Sequence, residues 1–153
     1  MNQFVILLHK LNQCAESDLE SGHWDIMLEV EIDGLKQLDT WSIPPQLSLI
    51  NSDLDSDSDL DLDFCKLNSF SCNAKKLPYH RIAYLDYEGD ISNNRGNVKR
   101  IDKGLYQKID KNKFKLSGKL FNGNLIISND ANNPDSCKIT FTSATVSLVN
   151  DDK

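Results

Sequence analysis

Apolar and polar positions along this chain alternate with a period of two far more often than with the 3.6-residue period of a helix. Phe4–His9 predicts a first strand, and His23–Ile32 a second. Leu35–Ile43 predicts a third through Leu38, Thr40 and Trp41, with Asp33-Gly34 as the hairpin turn before it. Pro44-Pro45 ends that strand, because proline supplies no ladder donor. Order resumes after Leu77-Pro78 with Arg81–Tyr87, then short strands at Asn97–Asp102, Gly104–Ile109, Phe114–Leu120 and Leu125–Ser128. Lys138–Leu148 closes the series as a long β-branched strand. Lys10–Gly22 and Asn129–Ser136 read as loops, and Glu88-Gly89-Asp90, Ser92–Gly96 and Asn122-Gly123-Asn124 as turns. No segment keeps a helical pattern over three turns. Many short strands punctuated by turns indicate a barrel or a sandwich.

Residues 46–74 interrupt this pattern as an insertion. Within it, 52–63 alternates Asp with Ser and Leu and holds six aspartates and no base, a composition that repels itself and favours disorder. Its D-x-D-x-D start resembles a calcium loop. From Asp53, however, Ser58 stands where the sharp-turn glycine belongs and Phe64 where the bidentate glutamate belongs.

A chain of 153 residues is one domain's worth, able to bury a core without staples. No apolar run approaches the roughly 20 residues a membrane helix needs. No basic stretch followed by an apolar core marks a secretory signal, so a cytoplasmic location is expected. Cys14, Cys65, Cys72 and Cys137 are scattered without a C-x-x-C pair and read as free thiols, with a Cys65–Cys72 pairing open under oxidation. The formal charge of −6 is uneven. From Lys75 to Lys119 there are twelve Lys or Arg against five Asp or Glu, a net of +7. That stretch is either a solvated face or the footprint of a phosphate-rich partner.

The candidate chemistry lies in residues 23–29, His-Trp-Asp-Ile-Met-Leu-Glu. On a strand, i and i+2 share a face, so His23 and Asp25 project side by side while Trp24, Ile26 and Leu28 face the other way. An imidazole nitrogen beside a carboxylate oxygen suits a divalent ion such as Mn²⁺ or Zn²⁺. By itself the pattern also describes a half-buried strand with polar residues on its wet face. Glu29 shares the face of Asp25, either supporting a ligand or serving as a hairpin charge. Trp24 and Trp41, in strands with apolar neighbours, belong to the core.

Read in order, the landmarks are Phe4-Val5-Ile6-x-x-His9, His23-Trp24-Asp25-x-x-Leu28-Glu29, Thr40-Trp41-Ser42-Ile43-Pro44 and His80-x-x-x-Tyr84-x-x-x-Glu88-Gly89. Their order over roughly residues 3–128 resembles the 3′-phosphoesterase domain of bacterial DNA ligase D, and more closely its small stand-alone relatives. The resemblance implies a mainly β fold, a single compact antiparallel β-barrel. It implies an enzyme that removes a 3′-phosphate or a 3′-ribonucleotide from nucleic-acid ends in DNA repair. It implies Mn²⁺, or another divalent transition metal, on His9, His23 and Asp25, with His80 and Tyr84 at the scissile phosphate. DNA or RNA 3′ ends, and a separate ligase or polymerase, are the implied partners of a monomer without membrane attachment. Bound metal would polarise the phosphoryl oxygen and lower the pKa of its water, with His80 as general acid or donor and Tyr84 as second donor.

Four departures bear on the phosphate. Met27 stands where the ligase domain has an arginine, and Pro45 replaces a lysine. An upstream arginine has no match, although Lys75 or Lys76 is near, and Lys76 is the expected substitute. The family's N-terminal arm is expected to be missing ahead of Phe4. Arg81 alternates away from His80 and reads as a poor replacement, whereas Arg95, Lys99 or Arg100 could reach from a rim, Arg95 being the leading candidate. The competing expectation is a non-catalytic nucleic-acid-end or partner-binding module that keeps the metal site; a phosphoesterase for another ester is a third. The acidic 52–63 segment would compete with nucleic acid for the basic face.

Overall fold

The structure is a computed structural model that describes residues 2–10, 22–44, 50–51, 66–67, 69–91, 96–130 and 132–144. Among these residues eleven strands follow in chain order: β1 Asn2–Lys10, β2 His23–Ile32, β3 Leu35–Ile43, β4 Ile50–Asn51, β5 Lys66–Leu67, β6 Phe70–Arg81, β7 Gly89–Asp90, β8 Asn97–Asp110, β9 Lys113–Ser117, β10 Asn122–Asp130 and β11 Asn133–Ser143. The large sheet runs β1-β2-β3-β6-β11-β10-β9-β8-β7, and β1 also pairs with β8. That extra ladder closes eight antiparallel strands into a barrel, leaving β7 attached outside the ring. Closure removes the open edges that an eight-stranded sheet would otherwise expose. The barrel expected from the resemblance is therefore present.

Alternation fills the barrel. Phe4, Ile6 and Leu8 from β1 meet Trp24, Ile26 and Leu28 from β2, with Trp41, Phe121, Leu125, Ile139 and Phe141 completing the interior. Both tryptophans are buried in it. The opposite faces of β1 and β2 are buried too, which explains the unbroken Phe-Val-Ile-Leu-Leu run. Val5, Leu7 and Met27 pack there with Leu38 and Val98 under Leu85, flanked by Ile82, Tyr84 and Ile91. This second, outer cluster forms because a 3₁₀ turn, Ile82–Leu85, folds back over the barrel wall.

Several strand assignments change. Arg81–Tyr87 is not a strand; β6 ends at Arg81 and the 3₁₀ turn begins. The insertion is shorter than 46–74, since Phe70–Ala74 belongs to β6 and pairs with β11, while β4 and β5 pair with each other at its base. The acidic 52–63 segment, Pro45, Cys14, Cys65 and Arg95 lie outside the described residues. Asn97–Asp110 is one long strand, with Ile101 as the bulged residue where β8 pairs with Ile6 and Leu7. Asn122-Gly123-Asn124 lies within β10, and the chain instead reverses at 118–121. That reversal is held by Asp102, which is 5% exposed and accepts backbone N–H bonds from Lys103, Lys119, Leu120 and Phe121 at 2.7–3.0 Å. A Cβ on Gly118 would sit 2.5 Å from the Asp102 Oδ2, so the loop can pass this close only at a glycine. The Asp33-Gly34 hairpin is as expected, with φ of 55° and 83° and Ile32 paired to Leu35.

Candidate metal centre and its cavity

His9 and His23 stand directly opposite each other in the β1–β2 ladder, and Asp25 follows two residues along β2. Cross-strand partners and i+2 neighbours share a face, so this register alone gathers all three side chains outside the barrel. One donor atom from each lies within 4.8 Å of the other two. His23 Nδ1 is 2.7 Å from Asp25 Oδ1, and His9 Nδ1 is 3.9 Å from Asp25 Oδ2. The two imidazoles meet edge to face with centroids 4.9 Å apart. Asp25 is 3% exposed, while both histidines are half-buried.

Donors that share an ion at about 2.1 Å each must lie within about 4 Å of one another. Both nitrogen–oxygen distances meet that limit, to the two different oxygens of Asp25, while the three donors as a set lie within 4.8 Å, so sharing one ion draws the side chains in by under an ångström. Two nitrogens and one carboxylate oxygen on one side, with the other side open, form the facial arrangement used by divalent first-row metals that keep coordination positions free. The residues present therefore fit a divalent metal.

Beside this group lies a cavity of about 610 Å³, lined by His9 and Asp25 together with His80, Arg81, Tyr84, Tyr79 and Tyr87. Met27 and Val98 form part of its apolar lining. The His80-x-x-x-Tyr84 spacing reads as two residues four apart on one strand, and the two rings do lie 5.8 Å apart between centroids, but by a different route. They do not share a strand. His80 is the penultimate residue of β6, and the 3₁₀ turn carries Tyr84 back beside it. Tyr84 in turn meets Tyr87 at 5.9 Å, and the Tyr87 hydroxyl donates to the Asp90 carbonyl. Gly89, at φ 134°, completes this corner.

Two basic residues are placed differently from expectation. In the β3–β6 ladder Trp41 pairs with Lys76 and Thr40 with Leu77, but Leu38 pairs with His80. Two residues of β6, Pro78 and Tyr79, therefore oppose one of β3, Asp39, a bulge that reverses the alternation. Lys76 consequently faces the barrel interior with Trp41, and His80 faces outward with Leu38. Lys76 bonds Asp39 at 2.7 Å and the Leu77 carbonyl at 2.7 Å, and it does not line the metal cavity. Arg81, expected to point away, does line it, at the junction where β6 gives way to the 3₁₀ turn. For Lys76 the sequence signal was Pro78, a residue that marks a bulge when it falls within a strand. Glu29, 7% exposed, accepts from the Gln3 N–H at 2.8 Å and pairs with Lys36 at 3.4 Å, so it ties the hairpin down rather than touching the ligand group. Cys72 and Cys137 are free thiols, and burial pushes both above the ordinary thiol range.

Fold and site together define an antiparallel barrel with a metal-competent His-His-Asp group on its outer wall. No protein-family model and no curated protein matches the chain. No helix among the described residues is long and apolar enough to cross a membrane.

Proposed function

We propose that the protein is a metal-dependent phosphoesterase acting on nucleic-acid 3′ ends, removing a 3′-phosphate or a 3′-ribonucleotide in DNA repair. The observation that carries this reading is the single cavity in which the His9–Asp25 side meets His80, Tyr84 and Arg81. A divalent ion such as Mn²⁺, held by His9, His23 and Asp25, would polarise the phosphoryl oxygen and activate a water. The Arg81 guanidinium supplies the paired donors that Met27 cannot, and it binds phosphate oxygens by charge-assisted bonds. Tyr84 O–H donates to a non-bridging oxygen, and His80, when its ring carries a proton on both nitrogens, hands the one on Nε2 to the departing alkoxide. The Pro78 carbonyl lies 2.9 Å from His80 Nδ1, which holds the ring and leaves Nε2 for the substrate.

The test is Mn²⁺-dependent processing of a labelled primer–template ending in a 3′-phosphate or a 3′-ribonucleotide. Wild type is expected to yield a 3′-hydroxyl, His23→Ala nothing, and Arg81→Ala on the order of 10²–10³ less rate. Met27, buried in the wall of the same cavity, favours one second reading, a binding module that holds metal and nucleic-acid ends without turnover. Mn²⁺ binding with no conversion would select it.

A further inference from the structure

We propose that a single-stranded nucleic-acid chain reaching the metal cavity runs over Tyr79 into the mouth of the barrel, where Lys108 and Lys111 hold its upstream phosphates. This rests on the nucleic-acid reading above and deepens it.

A second cavity, of about 520 Å³, opens at the barrel end lined by Asp39, Trp41, Lys76, Tyr106, Lys108 and Lys111. The linings of the two cavities meet at one contact. Tyr79 lines the metal cavity, and the Lys76 ammonium, which lines the mouth, lies 5.0 Å from the Tyr79 ring centroid and 5.2 Å from that of Trp41. Lys76 and Asp39 neutralise each other at 2.7 Å. The charge left at the mouth is thus that of Lys108 and Lys111, both exposed and neither in an ion pair among the described residues.

Tyr79 is 48% exposed and Tyr87 40%, high for aromatic side chains, and both stand at the cavity that holds the metal group. Exposed rings offer π-faces on which bases stack, and flanking lysines track the backbone. A small phosphate ester would fill the metal cavity and make no use of the lysines. A strand of several nucleotides uses the reactive centre, the aromatic step and the basic mouth in succession. The bulge at Pro78–Tyr79 makes this route, since it turns Lys76 inward and His80 outward within four residues.

The experiment is fluorescence anisotropy of labelled single strands of about three and about ten nucleotides, without metal, over a range of salt. The longer strand is expected to bind more tightly. Each lysine–phosphate contact adds about 0.7 to the salt slope for a single strand. Lys108→Gln with Lys111→Gln should therefore lower the slope for the long strand by about 1.4 and leave the short strand little changed. Lys115→Gln with Lys138→Gln removes the same charge from exposed positions outside both cavities, and should leave the slope near wild type. Equal losses in the two pairs, or affinity independent of length, would overturn the route. Because binding is read without metal, a failure of turnover and a failure of the route are separate results.

Discussion

Asp25 and Asp102 are the two buried aspartates among the described residues, 3% and 5% exposed, and their surroundings divide them sharply. Asp102 is saturated by four backbone N–H groups, donors that cannot leave without unfolding the 118–121 reversal. Its environment opposes itself: burial pushes the carboxyl above its ordinary range, while those four bonds pull it back. Asp25 is faced by two imidazoles, side chains able to exchange a proton or a partner for a metal. A buried carboxylate held by backbone is a folding device. One held by titratable side chains at a cavity wall is a candidate for chemistry.

The most direct way to break this comparison is the same substitution at both sites. Asp102→Asn puts an amide NH₂ against N–H donors and leaves about two of them unpaired. At about 1–3 kcal/mol for each, urea denaturation should show a loss of roughly 3 kcal/mol or more. Asp25→Asn keeps one hydrogen bond to His23 and should cost about 1 kcal/mol. Mn²⁺ affinity, measured by calorimetry, should move in the opposite order. It should fall at Asp25→Asn by more than the 10–100-fold typical of a lost supporting contact, and stay unchanged in folded Asp102→Asn. Reversed ranks in either measurement would end the distinction.

Glu29, the third buried carboxylate, sharpens it. Glu29→Gln retains the bond to the Gln3 N–H and loses only the pair with Lys36, which is 63% exposed. A cost of about 0.5 kcal/mol and an unchanged Mn²⁺ affinity are expected. A tenfold weaker affinity would instead put Glu29 among the groups that support the ligands.

Much of the Asp25 side was legible in the sequence, because it depends only on alternation within one strand. His23 and Asp25 share a face by spacing, and the His9 partnership needs only the antiparallel register that a barrel imposes. Asp102 was not legible. Its role depends on a loop sixteen residues away, and nothing local distinguishes it from a surface aspartate. The cavity was half legible for a related reason. Alternation set Arg81 opposite His80, but the strand ends at Arg81, and Lys76, expected at the phosphate from its nearness in sequence, is separated from His80 by a bulge that puts the two on opposite faces. The outer apolar cluster was visible only as an unbroken hydrophobic run, with no hint that a 3₁₀ turn would cover it.

A surface carboxylate sets the lower limit of the comparison. Asp86 is paired with Lys103 at 2.5 Å, and the hydrogen bond and charge of that ammonium, with a smaller part from Arg100, hold its carboxyl below the ordinary range. Its folded value is thus lower than its unfolded one. The stability it adds is present above the ordinary carboxylate pKa, near 3.9, and is lost as pH falls through the folded value. Lys103→Met should bring the Asp86 titration, followed by carboxyl carbon NMR, back toward the ordinary range, and 1 M salt should do much the same to wild type. The Lys103 backbone N–H still bonds Asp102 in this variant, so the reversal at 118–121 should keep its stability. If Lys103→Met destabilised the protein as much as Asp102→Asn, the burial of the carboxylate would not be what separates a folding device from a surface pair.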